Sequence, residues 1–161
     1  MVDENLDRLF EYDCIVFDFD GVLVDSNLIK RDMFFKIWGD YACGREQYIS
    51  AVLQQPGDRY TYISNIYQYL NKHGSLPAEK ERYIDQYTER VEASILEKGV
   101  QEKIPGLLHS LRDRILLINS ATPEKALKRI VSNLGFDRYI REARGRPAEK
   151  GDIFSCFSRM Y

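Results

Sequence analysis

The sequence has few cysteines and no pattern among them. Only three occur in 161 residues, namely Cys14, Cys43 and Cys156. They are odd in number and widely spaced, and none belongs to a Cys-x-x-Cys pair. A disulfide framework needs paired cysteines and a zinc site needs closely spaced ligands, so the sequence argues against both.

Excess charge of one sign and long apolar runs are also missing. The chain has 23 basic and 25 acidic residues, a formal net charge of −2, and therefore lacks the basic footprint of a nucleic-acid-binding protein. No apolar run is long enough to cross a membrane, and the first residues, with Asp3, Glu4 and Asp7, do not resemble a signal peptide. We therefore expect a cytoplasmic globular protein without nucleic-acid or membrane partners.

An apolar segment that ends in two carboxylates is the most informative feature present. Residues 14–17, Cys-Ile-Val-Phe, have the length and β-branched content of a fully buried strand, and Asp18 follows directly. In a parallel sheet, the carboxyl end of a strand faces the usual active-site crevice. Asp18 and Asp20 repel each other there unless a cation compensates them, and oxygen ligands suit Mg2+. Gly21 allows a tight turn after the pair.

The segment reads Asp-Phe-Asp-Gly-Val-Leu-Val-Asp-Ser over residues 18–26. It resembles the first motif of the haloacid dehalogenase (HAD) superfamily of phosphatases and phosphomutases, Asp-x-Asp-Gly-x-x-x-Asp-Ser. The resemblance implies that Asp18 is the nucleophile, which takes the phosphoryl group as an aspartyl phosphate, and that Asp20 is the general acid and base. It also implies Mg2+ held by the Asp18 carboxylate and the Asp20 backbone carbonyl. The alternative is a strand end whose acids only face water.

A second apolar strand is predicted over residues 115–122 and ends in hydroxyl side chains. A helical pattern begins after Pro123, so the strand end forms an anion site from a small hydroxyl and free amides near a helix start. This segment resembles the second HAD motif, which implies that Ser120 and the backbone N–H of Ala121 bind a phosphate oxygen. For Thr122 we predict a different role, as the N-cap of the following helix.

Lys150 lies where the HAD superfamily has its third motif, a lysine at the start of a helix. The resemblance implies that Lys150 steadies the charge of the nucleophile and the phosphate, a role that suits a flexible point charge. The alternative is a solvated lysine in a charged loop.

The fourth HAD motif, an acidic pair after a further strand, has no counterpart. Only eleven residues follow Lys150, and their one carboxylate, Asp152, is too close to Lys150 to serve as the missing metal ligand. We therefore expect an incomplete sheet in which residues 14–17 form an open edge. Such an edge invites pairing with another chain, including a second copy of this one. The sequence leaves open whether the chain is truncated, degenerate or completed by association.

Residues 26–104 form a long insertion with a helical pattern. Helices are predicted from about Ser26 to Trp38, 45–55, 59–72 and from Pro77 to Lys98, with Gly99 as the last stop signal. Pro105-Gly106 is predicted to return the chain to the core just before a helix over residues 107–112. The insertion resembles the C1 cap of the HAD superfamily. The predicted fold is thus an incomplete α/β, HAD-like Rossmannoid core of parallel strands, residues 1–25 and 105–161, with an all-helical cap.

Two functions follow from these features. The first is a Mg2+-dependent phosphatase for a small phosphorylated metabolite, with Asp18, Asp20, Ser120 and Lys150 as catalytic residues and Asp18 and Asp20 at the metal. The second is a catalytically incompetent HAD-like protein that acts as a ligand-binding or interaction module. The missing fourth motif favours the second function, and the intact first motif favours the first.

Overall fold

Three parallel strands form the sheet of this structure, a computed structural model that describes residues 8–74 and 76–161. The strands are β1 (Cys14–Phe17), β2 (Ile115–Pro123) and β3 (Ile140–Arg146), in the order β1-β2-β3. The predicted α/β class and the first two strands are confirmed. The acidic residues Asp3, Glu4 and Asp7 lie outside the described residues.

Seven α-helices are described in addition to these strands. They are α1 (Asn27–Lys36), α2 (Glu46–Leu53), α3 (Arg59–His73), α4 (Lys80–Lys98), α5 (Lys103–Ser110), α6 (Glu124–Asn133) and α7 (Lys150–Met160). Short 3-10 helices cover Arg8–Glu11, Gly39–Ala42 and Phe136–Arg138. No described helix combines the length and the apolar character needed to cross a bilayer.

The chain divides into two compact units. One, here called the core unit, joins the residues up to Ser26 with Ile95–Tyr161, and the other, the helical unit, spans Asn27–Ser94. The second boundary falls inside α4, earlier than the predicted boundary at residue 105. The helix predicted over residues 107–112 is observed as α5, but it begins earlier than predicted, because Pro105 and Gly106 lie within it. Proline fits there because the amides of a first helical turn need no partner within the helix.

Strand β2 is the centre of the core unit. Leu116, Leu117 and Ile118 are completely buried between neighbouring strands and helices. Leu117 packs with Ile153 and Phe157 of α7. These apolar contacts, rather than helix propensity, hold α7 against the sheet.

Strand β1 lies at an edge of the sheet. Among the described residues it pairs only with β2, in a register that sets Phe17 beside Ile118. Its burial alternates, with Ile15 and Phe17 buried but Cys14 and Val16 half-buried. Successive side chains of a strand point to opposite faces, so one face of β1 is less covered than the other, and the prediction of a fully buried strand is wrong. The predicted open edge is observed.

Aromatic side chains make much of the interior of the helical unit. Tyr83 and Tyr87 of α4 are buried, and their ring centroids lie 4.5 Å from those of Trp38 and Phe34, respectively. Burial is the first cause that raises the pKa of Tyr83, and nearby tyrosines add to it. Tyr83 and Tyr87 thus pack the helices of this unit together.

Strand β3 was not predicted, and its pairing with β2 is accompanied by a bulge in β2. Asn119 pairs with Arg144 and Pro123 with Arg146, so residues 120–122 bulge opposite Gly145 alone. A side chain at Gly145 would collide with the backbone oxygen of Thr122 and lie 3.2 Å from Glu124 Cα. Only glycine allows β3 to approach the bulge this closely.

We expect Gly145→Ala to lower the free energy of unfolding by about 1–3 kcal/mol, because the added methyl group overpacks a backbone contact. Gly106→Ala is the matched control, since a methyl group there meets nothing within 4 Å and the site is helical. The control should be neutral or stabilising by up to about 1 kcal/mol. Urea unfolding measures both, and equal stability of the two variants would contradict the close approach.

Candidate active site

Asp18 and Lys150 form an ion pair at the carboxyl end of β1. Lys150 Nζ lies 2.8 Å from Asp18 Oδ2, and the Phe19 amide donates to Asp18 Oδ1 at 2.7 Å. Both side chains remain partly open to solvent, at 44% for Asp18 and 46% for Lys150. The two residues are 132 positions apart, so the fold itself brings them together.

A tight turn holds the two carboxylates on either side of Phe19. The Phe19 side chain is completely buried, and its carbonyl accepts hydrogen bonds from the amides of Leu23 and Val24. Gly21 has a φ of 78°, and its amide donates to Val24 O at 2.7 Å. The predicted turn at Gly21 is confirmed, since this left-handed conformation favours glycine.

Three hydroxyl groups bind the carboxylate of Asp20. Ser26 Oγ donates to Oδ1 at 2.6 Å, while Thr122 Oγ1 and Ser120 Oγ donate to Oδ2 at 3.0 and 3.3 Å. All three hydroxyl-bearing residues are buried. A carboxylate in such surroundings needs donors to replace water, and hydroxyls can rotate to supply them. Asp20 is therefore fixed, whereas Asp18 faces solvent.

The prediction that Thr122 caps a helix is wrong. Pro123 occupies the N-cap position of α6, and no side chain caps this helix end. The Thr122 hydroxyl instead contacts Asp20, and its amide donates to Ser120 Oγ at 3.0 Å. The sequence signal was a second hydroxyl two positions after Ser120. A bulge turns both toward Asp20, and this bulge depends on β3.

Asn119 is a further residue that sequence reasoning missed. Its Nδ2 donates to the backbone oxygen of Lys150 at 2.8 Å, which ties the end of β2 to the first residue of α7. Its Oδ1 is buried and has no hydrogen-bond partner in the part of the chain that the structure describes. Asn119 thus holds in place the backbone from which the Lys150 side chain reaches Asp18.

Glu124 fastens the beginning of α6 to β3. Its carboxylate accepts from Lys128 Nζ at 2.6 Å and from the Gly145 amide at 3.3 Å. The hydrogen bond from Lys128 is the main cause that lowers the pKa of Glu124, and the Gly145 amide lowers it further. The bulge of residues 120–122 is therefore clamped from its C-terminal side. Ala121 lies exposed at the middle of the bulge.

The oxygen atoms available as ligands at this site are of the type that Mg2+ prefers. Asp18 offers a solvent-exposed carboxylate, and Mg2+ is commonly held by one or two carboxylates with waters and phosphate oxygens completing its shell. No group of three or more His, Cys, Asp or Glu residues arranged for a metal occurs among residues 8–74 and 76–161. The described side chains thus suit an ion that shares its shell with water and substrate, not one enclosed by protein.

Comparisons with known proteins identify the fold. Neither models of known families nor curated protein sequences match this sequence. Solved structures do match. One is assigned as a β-phosphoglucomutase from Thermotoga maritima, with a TM-score of 0.61 and 14% identity, and another is CbbY from Rhodobacter sphaeroides in complex with phosphate, with a TM-score of 0.64 and 18% identity. A third is the assigned HAD hydrolase YfnB from Bacillus subtilis bound to magnesium, with a TM-score of 0.56 and 12% identity. The chain therefore has the HAD-like fold.

The alignments cover most of this chain but less of the solved proteins. They include 82%, 91% and 82% of this chain and 60%, 71% and 64% of the T. maritima, R. sphaeroides and B. subtilis proteins, respectively. The chain thus spans about two thirds of the length of these structures.

We expect Thr122→Val to lower the free energy of unfolding by about 1.5–3 kcal/mol, because it removes a hydrogen bond to a carboxylate. In an Asp20→Asn background, the loss of unfolding free energy caused by Thr122→Val should be smaller by at least about 1 kcal/mol, since the two residues interact directly. Thr122→Ser is the control that retains the donor. Urea unfolding of the wild type, the two single variants and the double variant provides the measurement. If the effects of Thr122→Val and Asp20→Asn on the free energy of unfolding simply add, the contact between the two residues is contradicted.

Proposed function

We propose that this chain is a phosphatase that hydrolyses small phosphorylated metabolites through an aspartyl phosphate on Asp18. The observation that carries the proposal is an exposed carboxylate, Asp18, held 2.8 Å from Lys150 beside a second, fixed carboxylate, Asp20. A carboxylate nucleophile needs access to substrate, a nearby positive charge and a separate proton carrier. The HAD-like fold of phosphatases and mutases supports the same assignment.

In the first half-reaction, an Asp18 carboxylate oxygen attacks phosphorus in line with the ester oxygen. The P–O bond to the leaving group breaks as the bond to Asp18 forms. Asp20, in its protonated form, gives its proton to the departing oxygen, which leaves as an alcohol. The product on the protein is an acyl phosphate.

In the second half-reaction, water attacks the phosphorus of this acyl phosphate. Asp20 takes a proton from the water, the P–O bond to Asp18 breaks, and inorganic phosphate leaves. Asp20 is then protonated again for the next cycle. The hydrogen bonds from Ser26, Ser120 and Thr122 hold its oxygens in place, and these hydroxyls can reorient when Asp20 carries the proton.

Lys150 and the bulge after β2 are proposed to bind the transferred phosphoryl group. The ammonium of Lys150 offsets negative charge on both Asp18 and the phosphate. The Ala121 amide is a donor at the carboxyl end of β2, where free amides form an anion site. The Ser120 hydroxyl donates to Asp20, so it binds the phosphate only after it turns away from that carboxylate. Asn119 keeps the backbone of Lys150 in register with this site.

Mg2+ is the proposed cofactor, held by the Asp18 carboxylate and the Asp20 backbone carbonyl. When bound, the ion neutralises charge on the phosphoryl oxygens and helps to orient them. The magnesium in YfnB and the phosphate in CbbY support these assignments by analogy of fold. The helical unit is proposed to be a cap that selects the substrate. Free Cys43 and Cys156, both exposed, are compatible with the cytoplasm as the location.

The test is hydrolysis of an aryl phosphate and of a panel of sugar phosphates, with Mg2+ or with a chelator. We expect activity that requires Mg2+ and falls at least about 1,000-fold in Asp18→Asn, because the nucleophile is removed. Asp25→Asn is the matched control, since this exposed carboxylate in the same loop pairs with Lys98. Equal activity of Asp18→Asn and wild type, or no activity on any substrate, would overturn the proposal.

The open edge of β1 favours a second candidate function, association with another copy of this chain. Among the described residues, β1 pairs only with β2, so the backbone groups on its other side are available to a strand. Sedimentation across a range of protein concentrations tests this candidate. We expect a concentration-dependent dimer, and a monomer at every concentration would exclude edge association.

A further inference from the structure

A second charged cavity lies at the opposite end of the sheet in the core unit. It opens where β2 begins at Ile115 and β3 begins at Ile140, and its volume is about 660 Å³. Asp18 and Ser120 belong to the other end of these strands. The phosphatase proposal does not use this cavity, here named the arginine cavity.

The lining of the arginine cavity is strongly cationic. Four arginines contribute to it, and Asp137 is the one acid among its lining residues. The Asp137 carboxylate accepts a hydrogen bond from Ser132 Oγ at 3.1 Å. The four arginines are Arg112, Arg114, Arg138 and Arg141.

Two of these arginines are already engaged by the protein. Arg114 lies 3.2 Å from Asp13 and donates to Phe10 O at 2.8 Å. Arg112 donates to the backbone oxygen of His109 at 3.2 Å. These contacts fix the side of the cavity nearest to β1 and leave further N–H groups on each guanidinium.

The other two arginines have no carboxylate partner in the ranges 8–74 and 76–161. The Arg138 guanidinium lies 5.0 Å from the centre of the Tyr139 ring, a cation–π contact that keeps its N–H groups available at its edge. Arg141 is an exposed residue of β3. Concentrating unpaired guanidinium groups in one concave site is unfavourable unless an anion compensates them.

We propose that the arginine cavity binds a small molecule with two linked phosphate groups, with Arg138 and Arg141 as the principal ligands. A guanidinium binds phosphate oxygens through two parallel hydrogen bonds, and linked phosphates match several such forks at once. The volume is in the range of small-molecule sites. A long nucleic acid fits poorly, because the whole chain has a net charge of −2.

Titration calorimetry with inorganic pyrophosphate in the presence of a chelator tests this site on the full chain. Wild type should bind, and the double variant Arg138→Ala/Arg141→Ala should bind at least about 10-fold more weakly. Arg138→Lys/Arg141→Lys retains the charge but loses the forks, so its affinity should lie between the two. Arg31→Ala, at an exposed arginine of the helical unit, is the control and should match wild type.

A separate variant distinguishes this site from the candidate active site. Lys150→Ala should retain pyrophosphate binding, because Lys150 lies at the other end of the strands. Loss of binding in Lys150→Ala with unchanged binding in the arginine variants would overturn the proposal. So would the absence of binding by wild type, or binding of a polyglutamate peptide without binding of pyrophosphate, which would indicate a protein-docking surface. None of these results depends on phosphatase activity.

Discussion

The carboxylate of Asp20 and its three hydroxyl donors hold the site together. Ser26 comes from the end of the loop after β1, while Ser120 and Thr122 come from the bulge in β2. The segments are far apart in sequence, and one carboxylate joins them. Because a half-buried carboxylate has lost part of its hydration and needs donors in its place, the loop and the bulge stabilise each other. The surroundings of Asp20 therefore differ from those of Asp18, although the two residues are only two positions apart.

This difference in environment fits the different roles proposed for two identical side chains. Asp18 faces solvent and pairs with the Lys150 ammonium, whereas both oxygens of Asp20 accept hydrogen bonds from buried neighbours. A nucleophile must reach its substrate, and a proton carrier must stay in a constant position relative to it. The positions of Asp18 and Asp20 suit these two proposed roles.

The sequence predicted the parts of the site that depend on strand ends. Apolar runs before Asp18 and Ser120 located β1 and β2, and parallel pairing then required the two strand ends to meet. Strand β3 was missed because four of its seven residues are charged, three arginines and one glutamate, so no apolar run marks it. Without β3 there is no reason to expect a bulge opposite Gly145. Thr122 was consequently assigned to a helix cap, and the buried contact of Asn119 with Lys150 left no local signal at all.

The central claim is that an Asp18 carboxylate oxygen attacks phosphorus. Direct observation of the phosphorylated protein tests this claim best. Wild type and Asp20→Asn would be mixed briefly with acetyl phosphate and Mg2+, quenched in acid and mapped by peptide mass spectrometry. The account predicts one phosphoryl group on Asp18, with more of it in Asp20→Asn, because Asp20 activates the water that removes it. A phosphoryl group on any other residue, or none in either protein, would contradict it.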